Sequence, residues 1–166
     1  FKSGQIIIDD VIIVQCYVKS EIKFEYVHAL FQRKEKIKTK KEADRRMNVV
    51  VLMLDSLSAS ACKRALPKTL DYLRSFDNFF EFKKHQCVGP GTIRNMAPFY
   101  AGYLPKVDDK LKRPIFEDVP FIWKNYSKKN YVTCYNEDWK MSTFNGNRFG
   151  FLKSPTDHYF RHYWMS

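Results

Sequence analysis

The apolar positions of this chain change their period twice. In residues 4–31, Gln5-Ile6-Ile7-Ile8 and Val11-Ile12-Ile13-Val14-Gln15-Cys16-Tyr17-Val18 precede Ile22, Phe24, Tyr26 and Val27, which partly alternate with charge. That alternation predicts a small β-rich unit of two to four strands. Periodicity then vanishes in a charged block, residues 33–46. From Asn48 the run Val49-Val50-Val51-Leu52-Met53-Leu54 is continuously apolar and ends in Asp55 and Ser56. A run of this kind predicts a strand buried on both faces, as in a parallel sheet.

Helical and extended patterns alternate after that strand. Leu66, Leu70 and Leu73 recur at helical spacing within residues 58–75, and Pro67 restricts where that helix starts. Residues 76–82 are aromatic and strand-like. Val88-Gly89-Pro90-Gly91 predicts a turn or loop. Residues 92–101 predict a helix with Thr92 at or near its N-cap, Gly102 near its C-terminus and a kink at Pro98. Another helix is expected over residues 120–129, then a strand over 131–135, with Asn136-Glu137-Asp138-Trp139 just beyond its end. Strands alternating with helices imply an α/β architecture with a mainly parallel sheet. The resulting division is a β-rich segment over 1–32, a basic linker over 33–47 and an α/β domain over 48–166.

Composition narrows the class. With 45% hydrophobic and 16% aromatic residues, the 166-residue chain has the makings of a packed globular domain, not a disordered one. No apolar run approaches the roughly 18 residues that a membrane span requires. The net charge is +11, and much of it lies in residues 33–46. That block offers a surface for nucleic acid or an anionic membrane. It lacks the interleaved aromatics that stack on bases, so a solvated linker is the plainer reading and no specific nucleic-acid partner is expected. Cys16, Cys62, Cys87 and Cys134 form no C-x-x-C pair, which leaves zinc-ribbon and thioredoxin motifs without support. Their even number is compatible with secretion and with isolated core thiols alike.

Candidate chemistry sits at the element ends, where open α/β sheets bind ligands. Asp55 follows one predicted strand, Thr92 begins a helix, and Glu137 and Asp138 follow another strand. Asp55 or Ser56 also suits an N-cap for the next helix. A hydroxyl at a helix N-terminus lies where exposed N–H groups and the helix dipole stabilise an anionic ester. Glycines in Gly89-Pro90-Gly91 allow close backbone approach. Threonine is a weak nucleophile and needs a base or metal to activate it, and Asp55 is a carboxylate suited to holding a divalent cation.

Taken together, Asn48 through Ser56, Leu66-Pro67-Lys68-Thr69, Val88 through Asn95 and residues 98–102 resemble the alkaline phosphatase/sulfatase superfamily. More narrowly, Phe121-Ile122-Trp123-Lys124, Asn130 through Thr133, Asn136 through Trp139 and Pro155 through Arg161 are similar to an uncharacterised sulfatase-like domain-of-unknown-function family of invertebrate animals. The likeness covers nearly all of residues 48–164. It implies a partial alkaline-phosphatase-like sandwich on a mainly parallel central sheet, preceded by the β-rich segment. It also implies that Asp55 is a metal-binding aspartate and that Thr92 is both nucleophile and metal ligand. Arg94 and Asn95, one turn into the nucleophile's helix, would contact the transferred oxyanion. The expected cofactor is a divalent metal (Zn, or Mn, Mg or Ca), the expected partner an anionic ester substrate, and the expected location extracellular or secretory.

The departures from the family pattern matter as much. Glu137 and Asp138 stand where sulfatases place a Lys and a His, so these possible substrate contacts carry the wrong charge for ordinary sulfate binding. Cys87 lacks the Pro-Ser-Arg pattern of the cysteine-based sulfatases. Asp157-His158 only superficially resembles a later metal-binding pair, and a structural role is expected for His158. The chain opens on Phe1 and ends at Ser166, before the segment that completes the family's metal site. A fragment with weak metal binding and little activity is therefore expected. A non-catalytic interaction protein on the same fold is the alternative, with an anionic-surface or nucleic-acid binder acting through residues 33–46 as a third.

Overall fold

The structure is a computed structural model and describes residues 4–32, 47–103, 116–139, 143–144 and 150–164. The basic block over residues 33–46 lies outside the described residues. Contacts divide the chain into two compact units, Met47–Asn95 and a second made of Phe1–Arg46 with Met96–Ser166.

In the second unit, β1 (Val11–Val18) and β2 (Glu21–Ala29) form an antiparallel hairpin. The chain reverses through Lys19 and Ser20, whose φ values of 49° and 67° match the right-handed twist of a hairpin. A register shift between Cys16 and Tyr17 marks a bulge. The segment before it, including Ile6 and Ile8, forms no strand. Asp10, just ahead of β1, is buried, and its carboxylate meets Nδ1 of His158 at 2.9 Å. Phe31, just after β2, packs its ring 5.3 Å from His158 and 4.6 Å from Phe160. The two ends of the hairpin are thus tied to the C-terminal part of the same unit.

His158 belongs to β4 (His158–Tyr159), which pairs in parallel with β3 (Cys134–Tyr135). Asp157 locks this pair from the side, accepting from the Thr133 backbone N–H and hydroxyl, both at 2.9 Å. An aromatic core lies in the same unit. Phe116, Phe121 and Phe144 are fully buried, and Phe121 stacks on Trp123 with ring centres 4.3 Å apart. Trp123 comes from α4 (Ile122–Lys128) and stacks in turn on Tyr135 of β3 at 5.3 Å.

The unit Met47–Asn95 is built differently. Helix α1 (Ala59–Ala65) is capped by Ser58, whose hydroxyl accepts from the Ala61 N–H at 3.1 Å. Helix α2 (Pro67–Arg74) follows at once, because Pro67 cannot donate into a continuing helix but suits the first position of a new one. The single helix expected over 58–75 is therefore two. Helix α3 (Thr92–Ala101) begins in this unit and runs into the other. It contains Pro98 and stops at Gly102, whose φ of 79° makes the left-handed exit while its N–H bonds the Pro98 carbonyl at 2.8 Å.

Two expected strands are corrected here. Residues 48–54 are not a strand buried on both faces: they carry no strand pairing, and Val50 and Leu52 are 87% and 85% exposed. An apolar run becomes a strand only when neighbouring backbones satisfy its N–H and C=O groups, and no described strand does so. Residues 76–82 also form no strand. They turn locally, with the Phe79 N–H on the Phe76 carbonyl at 3.1 Å, and leave Phe80 and Phe82 exposed. Among the described residues the molecule is mixed α/β, with two two-stranded sheets and no large parallel sheet.

Candidate functional site

Within the unit Met47–Asn95, Asp55 and Thr92 come together across 37 positions of sequence: the Thr92 hydroxyl donates to Asp55 Oδ2 at 3.1 Å. The other carboxylate oxygen accepts from the Ser56 N–H at 2.8 Å. Ser56 has a φ of 56°, so the chain turns sharply just after Asp55 and leaves its carboxylate exposed. Neither Asp55 nor Ser56 caps the next helix, since Ser58 does. Asp55 is thus left with its carboxylate on the Thr92 hydroxyl.

Thr92 is the first residue of α3 and follows Gly91, which has a φ of 82°. A side chain at Gly91 would be strained in that conformation, so glycine there lets the loop enter the helix at this angle. The first-turn N–H groups of any α-helix lack intrahelical acceptors, and the dipole is positive at that end. The half-buried Thr92 hydroxyl therefore stands in a setting that favours negative charge.

Arg94 and Asn95 differ sharply in their engagement. Arg94 is exposed, and its stem lies over Gly89 so closely that a β-carbon there would sit 3.2 Å from Arg94 Cδ. Asn95 turns back to the loop. Its Oδ1 accepts from the Val88 N–H at 2.7 Å and the Gly89 N–H at 3.4 Å. Its Nδ2 donates to the carbonyls of Gly89 at 2.8 Å and Gly91 at 2.7 Å.

Glu137 and Asp138 belong to the other unit. Glu137 is half-buried and accepts from the Thr143 N–H at 2.7 Å. Its charge also reaches two phenols: burial, and after it the negative charge of Glu137, holds the Tyr135 and Tyr100 hydroxyls above the usual tyrosine range. Asp138 is exposed. His158 faces Asp10, a partner that nothing in the sequence signals at a separation of 148 positions. The Cys134 thiol is also raised, by burial and then by the nearby Asp10 charge. All four cysteines are free.

The donor chemistry can be compared with the metal that the resemblance implies. Asp55 and Thr92 supply hard oxygen donors, the kind that divalent cations take. Two such donors fall short of the four ligands of a zinc site. Among the described residues there is no group of three or more His, Cys, Asp or Glu placed to hold a metal. No described helix is long and apolar enough to cross a membrane.

A family model described as "Protein of unknown function (DUF229)" matches residues 6–166. No curated protein and no solved structure matches the chain. The family match takes in the hairpin, the Asp55–Thr92 pair and the β3–β4 pair alike, and the chain belongs to the DUF229 family.

Proposed function

We propose that the Asp55–Thr92 pair is the centre of a phosphate- or sulfate-ester hydrolase or transferase of the alkaline phosphatase/sulfatase type. The observation that carries this reading is the 3.1 Å hydrogen bond from the Thr92 hydroxyl to Asp55, formed where α3 begins. Thr92 Oγ is the nucleophile. As it attacks phosphorus or sulfur, the new Oγ bond forms, the ester bond to the alcohol breaks, and the proton lost by the Thr92 hydroxyl ends on the leaving alcohol. Asp55 accepts the hydroxyl's hydrogen bond and orients its lone pairs. Water or a second alcohol then takes the group from Thr92. Exposed Arg94 supplies positive charge in the first turn of the same helix.

The mainly parallel central sheet and a secretory or extracellular location belong to this proposal, on the resemblance. So does the divalent cation, with Asp55 and Thr92 as two of its ligands and the others outside the described residues. Such a cation, when bound, acts as a Lewis acid and lowers the pKa of a coordinated hydroxyl. Two donors alone give weak binding and little turnover in the 166-residue chain.

The test is a Mn²⁺ or Zn²⁺ titration of a full-length version of the protein and of its Asp55→Asn variant, with turnover of an aryl phosphate and an aryl sulfate measured beside it. Metal binding that weakens about tenfold in Asp55→Asn, roughly 1.4 kcal/mol, supports the hydrolase, as does loss of any turnover in Thr92→Ala. Binding that is absent, or indifferent to Asp55→Asn, sinks it.

The second reading is an interaction protein that keeps the fold without catalysis. One observation favours it: Glu137 spends its carboxylate on the Thr143 backbone and sits beside two phenols, which is a structural use of a position expected to meet substrate. A negative metal titration selects this reading.

A further inference from the structure

We infer that Asn95 is the positioning residue that holds the Val88-Gly89-Pro90-Gly91 loop and, through it, aims Thr92, and that it makes no contact with substrate. The inference rests on the reading of Thr92 as nucleophile, but its structural half can be tested alone.

A side-chain amide has two donor hydrogens and two acceptor positions on its oxygen. Asn95 uses all of them on the loop: Oδ1 takes the N–H groups of Val88 and Gly89, and Nδ2 gives to the carbonyls of Gly89 and Gly91. The orientation of the amide follows from the same partners. Flipped, it would set an NH₂ against two N–H donors and an oxygen against two carbonyls. No valence is left for an oxyanion.

The sequence explains why asparagine stands in the first turns of α3. Asn is a poor residue for a helix interior because its amide competes for nearby backbone groups. Here that competition becomes the function, since the loop supplies the backbone groups. The Arg94 stem lies against Gly89 from the same helix, so that a β-carbon there would sit 3.2 Å from Arg94 Cδ and shift the stem. The loop is therefore folded back on the first turns of α3 by two consecutive residues.

The loop itself is then no anion cradle. The Val88 and Gly89 N–H groups point at Asn95, and Pro90 has none. Only Gly91 keeps a loop N–H outside the clamp. The loop's role is to deliver Thr92 at a fixed angle to Asp55, with the left-handed Gly91 as its last joint.

The experiment is NMR on the 166-residue chain and on Asn95→Ala, Asn95→Asp and Leu70→Ala. The Thr92 χ1 couplings and the amide exchange of Val88 and Gly89 are read in each. In Asn95→Ala, exchange of both amides is expected to speed up by about tenfold or more, and Thr92 to average over rotamers. Asn95→Asp keeps the shape but turns a carboxylate toward two carbonyls, so it is expected to release the loop as well. Leu70→Ala, in the half-buried stripe of α2 in the same unit, serves as a general destabilising control and is expected to leave Thr92 in one rotamer. An unchanged Thr92 rotamer in Asn95→Ala overturns the clamp, as does Leu70→Ala disturbing Thr92 equally. If the clamp behaves as expected while Thr92→Ala leaves ester turnover untouched, the hydrolase reading fails and the clamp stands.

Discussion

The two units of this chain solve the problem of order by different means. In Phe1–Arg46 with Met96–Ser166, long-range burial does the holding: Phe116, Phe121 and Phe144 have no exposed surface, and the Asp10–His158 pair is buried with them in the unit. In Met47–Asn95, no described side chain is buried at all. That unit is held by local devices, the Ser58 cap, the Pro67 restart and the Asn95 clamp, and by one long-range hydrogen bond, Asp55–Thr92. Caps and turns each contribute on the order of 1 kcal/mol, whereas a buried aromatic contributes several. The candidate site thus lies in the unit with the weaker supports, and its geometry depends on hydrogen bonds exposed to water.

The sharpest way to break this contrast is Phe121→Ala. Phe121 touches Phe116, Trp123, Phe144 and Phe151, so the deletion should cost about 3–5 kcal/mol of stability in its unit. Urea unfolding followed by fluorescence measures the cost, and the helices of Met47–Asn95 should persist by NMR. A loss below about 1 kcal/mol would mean that the aromatic cluster is not a core.

His158→Ala comes next. It removes the His158 hydrogen bond from the buried Asp10 carboxylate, at a cost of about 1–3 kcal/mol. Hydrogen exchange should show the base of the β1–β2 hairpin opening first, since Asp10 and Leu30 are joined there by a 2.7 Å backbone bond. Protection that stays uniform would show that the pair does not anchor the hairpin.

Alkaline pH should then separate the units. Burial, reinforced by Glu137, keeps Tyr135 and Tyr100 protonated in the folded chain above the pH at which free tyrosine ionises, about 10. The unfolded chain loses these protons first, so the stability they confer is complete below about pH 10 and falls as pH rises beyond it. Phenolate absorbance should rise together with the unfolding of this unit, and Tyr135→Phe should flatten the pH slope.

The smallest expected effect is equally informative. Val51→Lys lies in the exposed apolar run and should change stability by no more than about 0.5 kcal/mol. A loss of several kcal/mol would show that residues 48–54 are buried against a partner in solution.

The local elements were legible in the sequence for a physical reason. The partial alternation in residues 4–31 pointed to a small β-rich unit, found as one hairpin, and the Leu66, Leu70 and Leu73 spacing pointed to helix. Gly91-Thr92 and Gly102 bounded α3 because each acts within a few residues through φ or a single backbone bond. Asp55 and Thr92 were both legible as polar residues at element ends, whereas their 3.1 Å hydrogen bond across 37 positions was not. Asn95 and Glu137 show where such reading stops. Each was expected near substrate from its position, yet each carries bonds that depend on where a distant or folded-back backbone lies.

The sequence by itself therefore determined the β-rich start, the bounds of α3, and the polar residues available for chemistry. Tertiary structure alone decided three further matters: that residues 48–54 would lack a strand partner, that Asn95 would clamp its loop, and that Asp10 would meet His158 from 148 positions away. Propensity and capping act through neighbours in the chain, so a window of residues contains their cause. Pairing and burial need a second surface, and that surface is fixed only when the chain has folded.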